Sequence, residues 1–463
     1  MKGSSLWSRA PYRPLTDWDE EIYVCRLAPR RDGVRIEWLD AGESEYEVSV
    51  RVKGEAEARI IARTRETAFD AQGLTPETEY EITVTAGGKK SRARLFRTGD
   101  AVGTVVNYLH PEDRAYAFSG RFLCSPSLAV LDDGTLLASM DLFAPKHPQN
   151  LTLIYRSTDG GESWEYLSEL MPCFWGKLFT FGGALYMLAC STEYGDLIIG
   201  RSDDGGRSFS APVCLVRGSN GKNSSDGVHK APQEPVVYRG RLWTAVEWGA
   251  WGNSRFGHAP LVASCALGDD PMIPENWSFT PPSPFKAWAP ELEGMPSNTM
   301  TIEGTLTVTP DGRLLDVLRF GGDMTALCLE VNVSDPEAPL TYAGLMPFEA
   351  NRSKFTIKRD EKTGIYYSVA NRITDPKRPG ARNLLSLMAS EDLKRWKTVS
   401  DLIDMRDRDP AFYGFQYVDF HFSGDDLIYL SRTAINGADS YHNSNYITFH
   451  RVRDFRAMAK PER

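Results

Sequence analysis

The chain has 463 residues, 41% hydrophobic and 25% charged, enough to bury a large core, and at about 150 residues per domain it points to two or three domains. Its formal net charge of -9 speaks against nucleic acid or an anionic membrane as the main partner, because both call for a basic field. No apolar run approaches the roughly 20 residues that a bilayer requires, which excludes a helical membrane span.

Residues 1–12 carry no apolar stretch after Lys2, so a cytoplasmic location is expected, or a secreted one if a leader precedes this sequence. The seven cysteines, Cys25, Cys124, Cys173, Cys190, Cys214, Cys265 and Cys328, are odd in number, scattered and never in a C-x-x-C pair. That pattern predicts buried free thiols rather than a disulfide framework or a zinc cluster, and no cofactor is expected. With 39 glycines, 28 prolines and 11 tryptophans, and few long amphipathic stretches, the composition favours an all-β fold.

After an N-terminal extension over 1–20, four stretches alternate apolar and polar residues: 34–39, 46–52, 80–85 and 92–96. The segment Leu74-Thr-Pro-Glu-Thr-Glu-Tyr80 leads straight into a strand, which places the Tyr80 hydroxyl to turn back on the preceding backbone as a tyrosine corner. With Trp38 on an early strand, residues 21–99 resemble a fibronectin type III domain. The resemblance implies a β-sandwich that packs or presents a neighbour.

From residue 100 to 457 the sequence repeats. Six strand-turn-strand units align on their turns: 127–140 around Gly134, 178–189 around Gly182-Gly183, 235–248 around Gly240, 305–320 around Gly312, 355–370 around Gly364 and 418–433 around Gly424. Spacings of about 50 to 70 residues suit four-stranded propeller blades with loops of varied length, so six blades are expected. Between the units, Ser157-Thr-Asp-Gly-Gly-Glu-Ser-Trp164 and Ser202-Asp-Asp-Gly-Gly-Arg-Ser-Phe209 both fit S-x-D-x-G-x-S/T-W/F, and Ser390 to Trp396 is a shortened relative. In such a turn the aspartate accepts backbone N–H groups, glycine takes a positive φ and the aromatic ring packs between strands. This Asp box, in phase with the repeat, resembles the sialidase-like (BNR-repeat) propeller superfamily. The fold expected is therefore all-β: a fibronectin type III-like β-sandwich followed by a six-bladed sialidase-like β-propeller.

Propellers hold ligands at the central axis, at the ends of the innermost strands. Polar residues before each first strand are candidates: Arg121, Lys177, His229 with Lys230 and Glu234, Glu303, Lys354, and Gln416 with Asp419. A second set follows each second strand: Asp141, Glu193 with Tyr194, Glu247, Arg319, Asn371 with Arg372, and Arg432. Acids and bases occur together, as cleavage of a sugar requires. Arg319 and Arg432 stand out because they directly end apolar strands, and Glu303 because Gly304 follows it at a strand entrance. The charge of Lys230 is expected to keep His229 neutral and basic. His442 lies in a polar loop leading to the last strand.

Sialidases of the superfamily carry an arginine in the R-I-P-S-L-type motif of the first blade, then a second arginine and a catalytic aspartate. The matching stretches here are Cys124-Ser-Pro-Ser-Leu128, Asp141-Leu-Phe143 and Pro148-Gln-Asn150. Cys124 replaces the first arginine, Phe143 approximately the second, and the aspartate is missing. Because an arginine cluster normally clamps the sugar carboxylate, the standard sialidase apparatus is expected to be absent, with Arg121 as a displaced charge.

Three functions follow. The first is a glycoside hydrolase removing a terminal, anionic sugar, with Glu303 and either Glu247 or Asp419 as acid and base, and Arg319, Arg432 and Lys354 on the acidic group. The second is a lyase, with His229 or Tyr194 abstracting the proton alpha to a uronate carboxylate. The third is a glycan-binding protein without catalysis. In each the partner is a glycan or oligosaccharide, and the oligomeric state is left open.

Overall fold

The computed structural model describes residues 22–219, 226–250, 257–283, 292, 300–322 and 324–458. The protein is all-β: among these residues one α-helix, Phe455–Met458, and one short 3-10 turn interrupt the strands. No described helix is long and apolar enough to cross a membrane.

The N-terminal region forms two facing sheets. Strands Val24–Arg30, Gly33–Trp38 and Ala68–Ala71 make one; Tyr46–Val52, Arg59–Thr64, Glu79–Ala86, Lys89–Lys90 and Arg94–Arg97 make the other. The predicted alternation is real: in Glu79–Ala86 every second residue is buried, so one face meets the core and the other is half exposed. The Thr75 N–H donates to the Tyr80 hydroxyl at 2.9 Å, the corner geometry that the sequence predicted. Trp38 is buried against Tyr46, ring centroids 5.5 Å apart.

Six further sheets follow, each containing one of the six predicted units. The first uses Phe122–Val130 and Leu136–Phe143 as its inner pair, the second Phe174–Phe181 and Ala184–Cys190. The third pairs both Gly227–His229 and Val236–Tyr238 with Arg241–Gly249. The fourth, fifth and sixth begin with Thr301–Val308, Ile357–Arg359 and Gly414–Ser423. The sixth takes its outermost strand, Thr104–Tyr108, from the beginning of the region, paired with Tyr446–Val452. The turn glycines Gly134, Gly183, Gly240, Gly312, Gly364 and Gly424 all have positive φ, which an L side chain resists.

The apolar cores lie between successive sheets and close the circle. Leu137 and Leu178 join the first two, Leu188 and Val246 the next, Trp243 and Leu318 the third and fourth. Val317 and Phe355 continue to the fifth, Val369 and Phe420 to the sixth, and Ile428 and Leu128 return to the first. Each sheet buries both faces against neighbours, so its inner strands are apolar on both sides.

The two sequence-predicted Asp turns have matching bonds. Ser163 N and Ser208 N donate to Asp159 Oδ1 and Asp204 Oδ1 at 3.0 and 2.9 Å. Gly161 N and Gly206 N donate to Ser157 Oγ and Ser202 Oγ, and Trp164 packs on Phe449. All seven cysteines are free, six of them buried and Cys214 partly exposed.

The sandwich is docked by buried polar contacts. Arg26 donates to the Val105 and Val106 carbonyls at 2.9 and 2.6 Å, Arg94 pairs with Asp113 at 2.7 Å, and the Tyr155 hydroxyl reaches the Cys25 carbonyl at 3.0 Å. Its strands also share an apolar core with the fifth and sixth sheets.

Candidate functional site

The site begins with a defect repeated in the innermost strands. The inner hairpins of the first, second, fourth and sixth sheets each skip register once, at 124/127, 174/177, 302/305 and 416/419. The first residue inside each bulge has a left-handed backbone: Ser125, Trp175, Glu303 and Tyr417, with φ of 48, 52, 61 and 55°. A bulge re-aims the side chain it carries, and all four residues line one cavity of about 230 Å³.

At its centre the Tyr417 hydroxyl donates to Glu303 Oε1 at 2.6 Å. Arg319 donates to Glu303 Oε2 at 2.9 Å and to the Tyr417 oxygen at 3.4 Å. Burial pushes the Glu303 carboxyl up, but the Arg319 charge and the Tyr417 bond outweigh it and leave it below the ordinary carboxylate value. Burial and the Glu303 charge raise the Tyr417 phenol, against the pull of three arginines.

Those arginines come from three sheets: Arg319, Arg382 and Arg432 all line the cavity. The Arg382 and Arg432 guanidiniums lie 5.6 and 5.1 Å from the centre of the Tyr417 ring. Arg382 is held by the Gln416 amide oxygen and Arg432 by the His442 carbonyl. Neither has a carboxylate partner among the described residues, and the Nε atoms of all three arginines are buried without a hydrogen-bond acceptor. Burial draws Arg382 down to about 10, with Arg319 and Arg432 adding repulsion. A guanidinium keeps its proton at working pH, so among the described residues Arg382 and Arg432 bring positive charge to the cavity without a carboxylate beside it, an arrangement that can hold an anion.

The sequence expected Arg319 and Arg432 on an acidic group, and the cavity lining holds both together with Arg382. Cys124 and Phe143 do stand where the family places arginines, and both line the cavity. The positive charge comes instead from later sheets, with Arg432 over the Phe143 ring at 5.0 Å.

The remaining wall contains Glu193, Gln149, Phe174, Trp175, His229 and Lys230. Burial raises the Glu193 carboxyl, although Gln149 donates to it at 2.7 Å. His229 Nδ1 meets Glu247 Oε2 at 2.6 Å, and the other Glu247 oxygen accepts the Gly304 N–H at 3.0 Å. Gly304 serves close approach: a Cβ there would stand 2.1 Å from Asp316 Oδ1. The Lys230 ammonium turns to the Trp175 and Ala231 carbonyls. Burial brings it down to about 8.

Of the sequence candidates, the cavity therefore collects Glu303, His229, Glu193, Lys230, Arg319, Arg432 and His442. Burial and the Arg432 charge hold the His442 ring down to about 3, hence neutral. Glu247 stands behind His229 and outside the lining. Asp419 and Lys177 form a wholly buried pair at 2.6 Å, fastened to the Leu128 N–H and carbonyl, which joins the sixth, first and second sheets. Lys354 caps the Val418 carbonyl at 2.8 Å. Tyr194 is buried beside His258 at 3.2 Å, Arg372 pairs with Asp401, and Arg121 lies outside the lining. Gln416 acts by holding Arg382.

Tyr417 and Arg382 escaped the sequence reading. Tyr417 lies between the apolar Phe415 and Val418 in a strand, and only the bulge turns it into the cavity. Arg382 precedes Leu384–Ser390, the third strand of its sheet, whereas the search used the ends of inner pairs. Its carbonyl accepts the Phe415 N–H at 2.8 Å, which ties it to the Tyr417 strand. Among the described residues no three His, Cys, Asp or Glu side chains gather as a metal site.

No family model and no curated protein matches the chain. Among solved structures it is similar to the Hadza microbial sialidase Hz136, at 12% identity and TM-score 0.50, covering 94% of this chain and 97% of that one. It is also similar to a protein of unknown function from Dyadobacter fermentans DSM 18053, at 13% identity and TM-score 0.51, covering 76% and 97%. An alpha-L-arabinanase of Penicillium chrysogenum complexed with arabinobiose matches at 16% identity and TM-score 0.49, covering 76% and 98%. The first likeness supports a sialidase-like propeller fold.

Proposed function

We propose that the protein is a glycoside hydrolase that removes a terminal sugar bearing a carboxylate on its anomeric carbon, with Tyr417 as nucleophile. The observation that carries this reading is the Tyr417 hydroxyl on Glu303 at 2.6 Å, inside a group of three guanidiniums of which two have no carboxylate partner among the described residues. A guanidinium fork matches a carboxylate through paired charge-assisted bonds. In a uronic acid the carboxylate sits across the ring oxygen from the reacting carbon; in a 2-keto acid sugar it is attached to that carbon. Arg319 reaches the Tyr417 oxygen and the other two flank its ring, which favours the 2-keto acid. The sialidase named among the structural neighbours agrees with that choice.

An anionic nucleophile would be repelled by such a carboxylate. A phenol that gives its proton to Glu303 while its oxygen bonds the anomeric carbon avoids the clash. The Glu193 carboxyl, raised by burial, gives its proton to the departing oxygen. In the second step the Glu193 carboxylate takes a proton from water, the water oxygen displaces the tyrosyl oxygen, and Glu303 returns the proton to Tyr417. Two displacements retain configuration. Of the two bases of the lyase reading, His229 lines the cavity and Tyr194 lies outside the lining, buried beside His258.

The architecture belongs to the same proposal: a six-bladed propeller over 100–457, supported by the six sheets, and a fibronectin type III-like module over 21–99, supported by the Thr75–Tyr80 corner. The test uses an aryl α-glycoside of N-acetylneuraminic acid and an aryl glucuronide. The protein is expected to cleave the first and not the second, and Tyr417→Phe to lower kcat by about a thousandfold or more while still binding the acid sugar. Cleavage of the glucuronide alone, or undiminished turnover by the variant, refutes the reading; binding of the acid sugar by wild type without turnover favours a glycan-binding protein.

A further inference from the structure

Of the four bulge residues in the cavity, Trp175 is, with Tyr417, a bulky aromatic on a left-handed backbone. A bulky aromatic resists φ of 52°, and strain of this kind persists only where the surroundings impose it. Here they do so from both ends. The Trp175 N–H donates to Asp141 Oδ2 at 2.7 Å, and its carbonyl accepts the Lys230 ammonium at 2.8 Å. Asp141 and Lys230 are each 1% exposed, and the other Asp141 oxygen accepts the Thr152 hydroxyl at 2.5 Å. A buried acid and a buried base are thus committed to the conformation of one residue. The indole they hold is half-buried and lines the cavity, with its centre 4.4 Å from the His229 ring and 5.6 Å from the Tyr194 ring.

We infer that Trp175 is the stacking platform for the sugar on the leaving side of the scissile bond, a neutral hexose laid with its C–H face on the indole. The inference rests on the hydrolase reading in which Glu193 is the acid. That acid must touch the glycosidic oxygen, so the leaving sugar starts at Glu193, and Trp175 lines the same cavity with its indole centre 5.6 Å from the ring of Tyr194, the next residue after Glu193. The three arginines stand on other sheets, and the Lys230 ammonium is turned to carbonyls, so this wall suits an uncharged ring.

Trp175→Gly suits the left-handed backbone and removes the platform, while Trp175→Phe keeps a ring. The methyl α-glycoside of N-acetylneuraminic acid has no leaving-side sugar and serves as the reference substrate. In Trp175→Gly the ratio of kcat/KM on the same acid linked to lactose to kcat/KM on this reference is expected to fall about tenfold from its wild-type value, mainly through KM on the lactoside, and Trp175→Phe recovers most of the loss. An equal loss on both glycosides overturns the inference, because a merely structural tryptophan affects them alike. Saturation-transfer NMR with free lactose is independent of turnover. Transfer to lactose in wild type that disappears in Trp175→Gly supports the platform; no transfer in wild type, or equal transfer in the variant, overturns it. If neither glycoside is cleaved, the hydrolase reading falls and the lactose measurement alone decides the platform.

Discussion

Replacing Glu303 by glutamine removes one charge from the cavity and leaves its shape unchanged. In the protein, Arg319 and Glu303 meet at 2.9 Å with side chains 10% and 5% exposed, so water screens the pair poorly. Two unit charges at that distance attract by about 6 kcal/mol at an effective dielectric constant near 20, and the cost of drying both groups offsets much of this. Breaking a buried pair from one side leaves the other charge stranded, which typically costs about 3–5 kcal/mol. Here the stranded charge is Arg319, beside Arg382 and Arg432, which lack carboxylate partners among the described residues. Glu303→Gln is therefore expected to lose about 3–5 kcal/mol in urea denaturation at pH 7. Turnover should fall by a factor of about 100 or more through loss of the base.

The sign with pH follows from linkage. The folded protein holds Glu303 below its ordinary value, so its contribution is complete above the unfolded value of about 4.3 and fades as pH falls through the folded one. The gap between wild type and variant should therefore close on acidification. Added N-acetylneuraminic acid should restore more stability to the variant than to wild type, because its carboxylate supplies the missing anion. A loss below about 1 kcal/mol, or unchanged turnover, would refute both the pairing and the role of Glu303.

Two further outcomes follow from the same site. Arg382→Met removes a buried cation with no carboxylate partner among the described residues, so stability should hold or rise by about 1–3 kcal/mol in thermal denaturation. Calorimetry should show affinity for the acid sugar falling about 10- to 100-fold with the loss of charged hydrogen bonds. Glu193→Gln should remove the alkaline limb of the kcat/KM profile, since burial raises this carboxyl and the acid is lost as pH rises through its folded value. A folded pKa above the unfolded one costs stability as pH rises between them, so the variant should gain stability at neutral pH. Its rate should drop about 10²- to 10⁴-fold, less for an aryl leaving group, and an unchanged alkaline limb would exclude Glu193 as the acid.

Much of the scaffold was legible because it is built from local rules. Hairpin glycines need positive φ, an Asp turn closes within a few residues, and the Tyr80 corner closes over five positions; each leaves a compact signature in the chain. Part of the site was legible for a related reason, since Glu303, Arg319 and Arg432 sit at the ends of inner strands, where the repeat itself marks the axis.

What escaped depends on distance along the chain. Lys177 and Asp419, or His229 and Glu247, have the composition of catalytic groups in the sequence, and only the packing of sheets shows that Asp419 staples three sheets while Glu247 stands behind His229. The opening charge of -9 likewise concealed a cationic cavity. The sequence by itself determined the repeating all-β architecture, because turns and alternation are properties of neighbouring residues. The tertiary structure alone decided which charges face one another, since a register skip at 416/419 aims Tyr417 at Glu303 across 114 residues and no local pattern encodes that meeting.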